Sequence, residues 1–172
     1  MKTSNTVIMN ASYERIFELG SRVENWGQIL PHYRYVKLLR EEGNRRLVRM
    51  SAWRDFVPVI WTAIESIHPG TADHPGRIEF KHVRGMVKGM EVVWLFDVRG
   101  ERGPVHVTIA HDLADPPFPV KILGPKLLER IVGQGFIGYI AGKTLRRIKE
   151  LTEAEESGAP IATAQAPSSP GV

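Results

Sequence analysis

Apolar residues recur along this chain at two periods, and the change between them divides it into three parts. Toward the C-terminus Leu127, Leu128, Ile131 and Val132, then Ile137, Ile140, Ile148 and Leu151, return every three or four residues, the spacing that puts a stripe along one side of a helix. The stripe predicts one long amphipathic helix from Pro125 to Glu153. Gly124 and Pro125 mark its start, because a proline in the first helical position gives up only an N–H that has no partner there. In the middle of the chain the period falls to two. Strands are expected at Tyr33 to Arg40, Arg45 to Phe56, Val59 to His68, Arg77 to Val83, Gly89 to Arg99 and Pro104 to Leu113, divided by turn residues such as Glu41-Glu42-Gly43-Asn44 and by a loop from Pro69 to Gly76. Pro58 removes a ladder hydrogen bond and marks a bulge or an edge. At the N-terminus, Thr3 to Met9 reads as a first strand. A helix capped by Ser12 follows, with Tyr13, Ile16, Phe17 and Gly20 on its buried face, and then a short helix from Glu24 to Leu30 that Pro31 stops.

Sequential strands joined by short turns imply an antiparallel sheet with one face covered. Parity then says which side chains turn inward. Met90, Val92, Trp94, Phe96 and Val98 share one face, and so do Val105, Val107, Ile109, His111 and Leu113. His111 is thus an imidazole on an apolar wall, either a structural histidine bonded to a neighbour or a group that meets a ligand. His106 faces the other way. Parity leaves the direction of Trp61 open, because Val59, Trp61, Ala63 and Ile67 compete with Ile60, Thr62 and Ile64.

The helical stripe contains an expensive feature. Gly133, Gly135, Gly138 and Gly142 lie inside it, each about 1 kcal/mol less favourable than alanine there. Gly135, Gly138 and Gly142 fall on one face and leave a groove without side chains. Close packing of the helix on the sheet and room for a ligand are both consistent with that groove.

Composition narrows the function classes. A chain of 172 residues with 42% hydrophobic content suits one domain, expected over residues 1–155. The Ala-, Pro- and Ser-rich stretch 156–172 has little to bury and reads as a disordered tail. The absence of cysteine excludes disulfides and thiolate chemistry. No apolar run approaches the roughly 20 residues of a membrane span, and the N-terminus lacks the apolar core of a signal peptide, so a cytoplasmic protein is expected. The net charge of +4 is spread among acids, with no basic stripe or aromatic platform, and nucleic acid is not an expected partner. The six histidines lack metal-ligand spacing, and no phosphate loop or nucleophile elbow occurs, so neither a metal nor a cofactor is expected.

Several short stretches carry a family resemblance: Ala11-Ser12-Tyr13-Glu14-Arg15-Ile16-Phe17, Val23-Glu24-Asn25-Trp26 with Leu30-Pro31, the Gly85 turn followed by Trp94-Leu95-Phe96, and His111-Asp112-Leu113. Their order over residues 3 to 153 resembles the START-like (SRPBCC) superfamily, and within it the polyketide cyclase/dehydrase and coenzyme Q-binding carrier branch. The resemblance implies an α+β helix-grip fold: a curved antiparallel sheet of about six or seven strands wrapped around a long C-terminal helix, with two short helices after the first strand. It also implies an elongated apolar cavity between sheet and helix that holds a polyketide-, quinone- or lipid-like molecule. In aromatase/cyclases of this branch the histidine of the last strand joins an arginine of a middle strand and an acid or amide on the long helix. His111 matches the first. The arginine expected after a Trp-Thr pair is missing, since Trp61-Thr62 is followed by Ala63, Ile64 and Glu65, and the helix has no carboxylate between Glu129 and Glu150. Arg49, Arg54, Tyr33 and Tyr139 are the available substitutes.

The site expected from these readings places His111 as acid/base, with Trp61, Trp94, Phe96, Ile109, Tyr33, Arg49, Gly135, Gly138, Tyr139 and Gly142 around a hydrophobic small molecule. For Trp53, Trp61 and Trp94, plain core packing is the competing reading. Two other functions stay open, a non-catalytic lipid or quinone carrier and a protein-interaction module on the glycine face, in a monomer or a homodimer. The apolar stretch Pro116 to Leu123 is either a rigid connector or a lid over the cavity mouth that touches a membrane transiently.

Overall fold

The computed structural model describes residues 1–54, 57–99, 104–115 and 137–158, together with positions 118, 122 and 135. Seven strands form one sheet: β1 (Lys2–Met9), β2 (Tyr33–Glu42), β3 (Arg45–Arg54), β4 (Val57–His68), β5 (Arg77–Gly85), β6 (Glu91–Val98) and β7 (Val105–Asp112). Their spatial order is β1-β7-β6-β5-β4-β3-β2, with every pairing antiparallel. β2 to β7 run as a meander. β1 returns beside β7, where Met1 and Leu113 exchange backbone hydrogen bonds of 2.7 and 2.8 Å. Between β1 and β2 come α1 (Tyr13–Ser21), a short 3-10 turn (Val23–Asn25) and α2 (Trp26–Ile29); α3 (Gly138–Ser157) lies against the sheet. This is the expected helix-grip arrangement.

The strands alternate as their sequences require. β7 buries Val105, Val107, Ile109 and His111 in strict succession, and β6 buries Val92, Trp94 and Phe96. On β4 the alternation is disturbed by a register shift between Thr62 and Ala63 against β5. Trp61, Ala63 and Glu65 are buried, and so is Thr62. That settles the direction of Trp61, which points inward. It also explains why parity left it open: the odd positions carry a fully buried glutamate, which an apolar-pattern reading rejects. Pro58 is not at this shift. It pairs with Trp53 in a stretch of β4 where pairing to β5 has not yet begun, the edge alternative.

Glu65 is buried because Arg46 meets it there. Arg46 Nε donates to Glu65 Oε2 at 2.9 Å, its Nη1 reaches Glu24 at 3.1 Å, and its Nη2 bonds the carbonyl of Ser21. The Glu24 and Ser21 contacts tie β3 and β4 to the segment around the 3-10 turn.

Two helix ends differ from expectation. Ser12 stands at the N-cap of α1, but its side chain makes no capping bond; its backbone N–H donates instead to Glu156 at 3.1 Å. α3 runs past Glu153 to Ser157, where Gly158 closes it in a left-handed conformation. The extra turn is held by contacts to the N-terminal segment: Glu153 accepts from Asn10 N–H at 2.7 Å, and Glu155 pairs with Arg15 at 2.7 Å. The expected helix start at Pro125, the stripe residues Leu127 to Val132, most of the Pro116 to Leu123 connector and the tail beyond 158 lie outside the described residues. Phe118 and Ile122 are exposed. No described helix is long and apolar enough to cross a membrane.

The stripe of α3 is buried at Ile137, Ile140, Leu145, Ile148 and Leu151. Its glycines point elsewhere. Gly138 O accepts from Asn5 of β1 at 3.4 Å, and a Cβ on Gly142 would lie 3.7 Å from the same Asn5 amide and 3.5 Å from Arg146, both ordinary contacts. Gly138 and Gly142 thus lie beside Asn5 of β1, with room for a methyl group at Gly142. Gly20 of α1 is different: a Cβ there would stand 3.3 Å from both Ile78 and the indole of Trp94. In urea denaturation, Gly142→Ala is therefore expected to raise stability by up to about 1 kcal/mol. Gly20→Ala is expected to lower it by about 1–3 kcal/mol through overpacking against Trp94. A loss at Gly142 as large as that at Gly20 would contradict this placement of the helix.

Candidate functional site

The sheet and α3 do not meet flush. A cavity of about 70 Å³ lies between them, and its walls follow from the alternation just described. The sheet contributes Met50 of β3, Trp61 of β4, Phe80 and His82 of β5, Val92 and Trp94 of β6, and Ile109 and His111 of β7. Trp26 of α2 and Tyr33 at the start of β2 close one side. The helix wall is Ile137, Ile140, Ala141 and Thr144. The small side chain of Ala141 and the short one of Thr144 leave the space open. Val87 and Met90, from the turn after β5, complete the lining among the described residues.

That turn depends on Gly85. Its φ of 107° lies in the region that favours glycine, and a Cβ would come within 2.7 Å of the Ile60 carbonyl. Removing the side chain lets the β5 end approach Trp61 closely.

The aromatic side chains form a connected wall. Trp94 packs against Trp26 at 5.8 Å between ring centroids, Trp26 against Tyr33 at 5.2 Å, Tyr33 against Trp61 at 6.0 Å, and Trp61 stacks on His82 at 6.0 Å with the planes only 11° apart. Such a wall offers flat apolar surface with polar edges, the usual make-up of a small-molecule site.

Three histidines are buried near this wall, and their surroundings differ. His32 bonds the Thr144 hydroxyl at 3.0 Å, and that hydroxyl donates to the Ile140 carbonyl at 2.9 Å, so His32 has a partner. His82 and His111 do not. The Nδ1 of each is buried without a hydrogen-bond partner. Burial lowers all three from 6.5: His32 to about 4, helped by the charges of Lys143 and Arg146; His82 to about 3, helped by His111; and His111 to about 4. Each is a neutral imidazole near pH 7. Burial also holds the Tyr33 hydroxyl protonated well above its ordinary range, with a hydrogen bond to Thr144 opposing the shift. Among the described residues, no lysine, arginine, aspartate or glutamate lines the cavity.

Of the residues expected around a ligand, Tyr33, Trp61, Trp94, Ile109 and His111 line this cavity. The others do not. Phe96 shares the inward face of β6 but sits farther along, with Tyr13 and Phe17 at 5.7 and 5.3 Å; parity gives a face, not a position along the strand. Arg49 is exposed on the outer face of β3, one residue from the inward Met50. Gly135 is half-buried and Gly138 and Gly142 face β1 or its flank, while Tyr139 is half-buried and bonded to Lys143 at 2.5 Å. The helix wall is offset from the glycines by one residue. His82 and Phe80 were not anticipated, although Ile78, Phe80 and His82 alternate with Glu79 and Lys81 by the same parity that exposed His111.

Residues 9–133 match the family model described as polyketide cyclase / dehydrase and lipid transport. The chain belongs to that family. Its fold is shared with the Zhui aromatase/cyclase from a Streptomyces species, at 15% identity over 93% of this chain and 99% of that one, TM-score 0.76. It is shared also with the di-domain aromatase/cyclase StfQ of the steffimycin biosynthetic pathway, at 17% identity over 92% of this chain and 52% of that one, TM-score 0.72. A STAR-related lipid transfer protein from Xanthomonas axonopodis aligns at 13% identity over 88% of this chain and 85% of that one, TM-score 0.62. No curated protein sequence matches the chain. In this member of the polyketide cyclase / dehydrase and lipid transport family, the described residues that wall the cavity are neutral.

The three buried histidines give the family member a defined acid response. Because their folded values lie below 6.5, the unfolded chain binds protons between about pH 6.5 and 4 that the folded chain refuses, and stability falls as the pH drops through that window. Glu65 works the other way, since burial raises it from 4.5 to about 7 against the pull of Arg46, so it favours the folded state on acidification. Three groups outweigh one. Urea denaturation is expected to show lower stability at pH 5 than at pH 7, with the slope reduced in the His32→Gln, His82→Gln, His111→Gln triple variant. Equal stability at the two pH values, or an unchanged slope in the variant, would contradict the burial of these imidazoles.

Proposed function

We propose that this protein binds a lipophilic, aromatic small molecule in the cavity between its sheet and α3. The observation that carries the reading is an aromatic wall whose described polar groups are all neutral, two of them imidazoles whose buried Nδ1 atoms lack partners. A core evolved only for packing tends to satisfy its polar atoms, because an unmade buried hydrogen bond costs about 1–3 kcal/mol. The family, whose description covers both polyketide cyclisation and lipid transport, supports a hydrophobic guest. The relatives named for aromatase/cyclase activity favour an aromatic or polycarbonyl one over an acyl chain.

The cavity volume of about 70 Å³ is smaller than the roughly 150 Å³ in which a benzene-sized guest is held in an engineered protein cavity. A ring therefore enters by displacing a wall. Met50 and Met90 are the flexible members, each with three rotatable side-chain bonds. Binding on this reading is an induced fit of thioether side chains around a flat molecule.

A catalytic version of the reading gives His111 the role of base and Tyr33 that of proton donor. Dehydrating ring closure needs a proton removed beside a carbonyl and another delivered to the departing hydroxyl. A neutral imidazole can accept the first, and a phenol held protonated can deliver the second. The arginine and helix carboxylate that the family resemblance implies have no counterpart among the described residues of the lining, and this favours binding over turnover as the primary role.

Trp26, Trp61 and Trp94 report occupancy by fluorescence. Titration with the uncharged probe phenylnaphthylamine is expected to quench them in a saturable manner, and Ala141→Leu, which fills the helix wall, is expected to weaken binding at least tenfold while the protein stays folded. Native mass spectrometry of the purified protein is expected to show a co-purifying hydrophobic compound that Ala141→Leu lacks. Unsaturable quenching, or identical binding by the variant, would overturn the reading.

A further inference from the structure

The buried polar groups around the cavity differ in whether the protein already satisfies them. His32 and Thr144 bond each other, and the Arg46–Glu65 pair satisfies much of its own demand away from the cavity. His82 and His111 stand apart. His111 lies opposite Val92 of β6, and His82 donates its backbone N–H to Met90, the residue preceding β6, at 2.9 Å. One strand thus separates the two histidines, and they are offset by two residues along it; with adjacent strands about 4.8 Å apart and a rise of about 3.4 Å per residue, their backbones are roughly 12 Å from each other. Both side chains rise from the same inward face into the same cavity. Trp61 fixes the plane of the His82 ring by stacking on it.

We propose that His82 and His111 act together as a two-imidazole clamp on one uncharged oxygen function of the bound molecule, so that the cavity selects phenols, enols or ketones and rejects carboxylates. The proposal rests on the binding reading above and adds a second ligand-contacting residue, His82, and a selectivity. A hydroxyl both donates and accepts, so a single oxygen between two neutral imidazoles satisfies one ring as acceptor and the other as donor. A plain hydrocarbon leaves both unsatisfied. A carboxylate meets no cation among the described residues of the lining, and the burial of an unpaired charge is disfavoured more strongly than that of a hydroxyl. Burial keeps the imidazoles from supplying the missing positive charge.

The test is isothermal titration of the full chain with naphthalene, naphthol and naphthoate, which share a ring system and differ in the oxygen group. Wild type is expected to bind naphthol roughly tenfold more tightly than naphthalene, and naphthoate more weakly than either. His82→Leu is expected to bring naphthol down to the level of naphthalene while naphthalene binding is kept, and His82→Gln, whose amide donates and accepts, is expected to restore part of the preference. Should His82→Leu not fold, His82→Phe, which retains the stack on Trp61, takes its place. An unchanged ratio of naphthol to naphthalene in the variant overturns the clamp but leaves the cavity reading standing, as does naphthoate binding to wild type as tightly as naphthol. Failure of wild type to bind all three overturns the cavity reading, and the clamp falls with it.

Discussion

The structure depends on one packing constraint: a seven-stranded sheet has to bury its inward face against the side of α3 and two short helices. Leu145, Ile148 and Leu151 meet that requirement toward the C-terminal half of the helix, where contacts from Glu153, Glu155 and Glu156 to the β1–α1 junction fix its position. Toward the N-terminal half the helix presents Ala141 and Thr144, and there the wide side chains of the sheet do not reach across. The space left is bounded by indoles, a phenol and imidazoles. These rings are too broad and stiff to collapse into it without leaving their favoured packing.

Burial then sorts the polar groups. Arg46 and Glu65 are taken out of water as a bonded pair shared with Glu24 and the Ser21 carbonyl, and their role is to hold strands to helix. His32 finds Thr144. His82 and His111 carry the same desolvation without the compensation, so their contribution within the folded protein alone is unfavourable. On the proposed reading, a guest with an oxygen atom converts that deficit into hydrogen bonds. The same low polarity that keeps the imidazoles neutral makes each such bond stronger than it is in water.

Much of the architecture was legible from periodicity. Strict alternation on β6 and β7 put Trp94 and His111 on the inward face, and the three- and four-residue stripe marked Ile137, Ile140, Ile148 and Leu151 as buried. What escaped has physical causes. Glu65 sits inside because an arginine 19 residues earlier meets it across the β3–β4 pairing, and a pattern of apolar letters has no means to express a partner. Phe96 shares the face of Trp94 yet serves the packing of α1, since alternation is silent about depth along a strand. The glycines of α3 were rightly singled out as costly, but their open face meets Asn5 of β1, and the cavity wall begins one residue away at Ile137 and Ala141. On a helix one residue is a turn of about 100°, enough to move a surface from ligand to strand.

The central claim is that the unfilled space between α3 and the aromatic wall is a binding site whose polar pole is the histidine pair. A crystal structure of the protein with bromonaphthol tests this most directly, because the anomalous signal of bromine locates the guest without interpretation of its shape. The account predicts a bromine peak inside the cavity, among Trp61, Trp94 and Ala141, with the naphthol oxygen within hydrogen-bond distance of His82 or His111. Bromine found only on the outer surface, with the space beside His111 closed by the protein's own side chains, would contradict it.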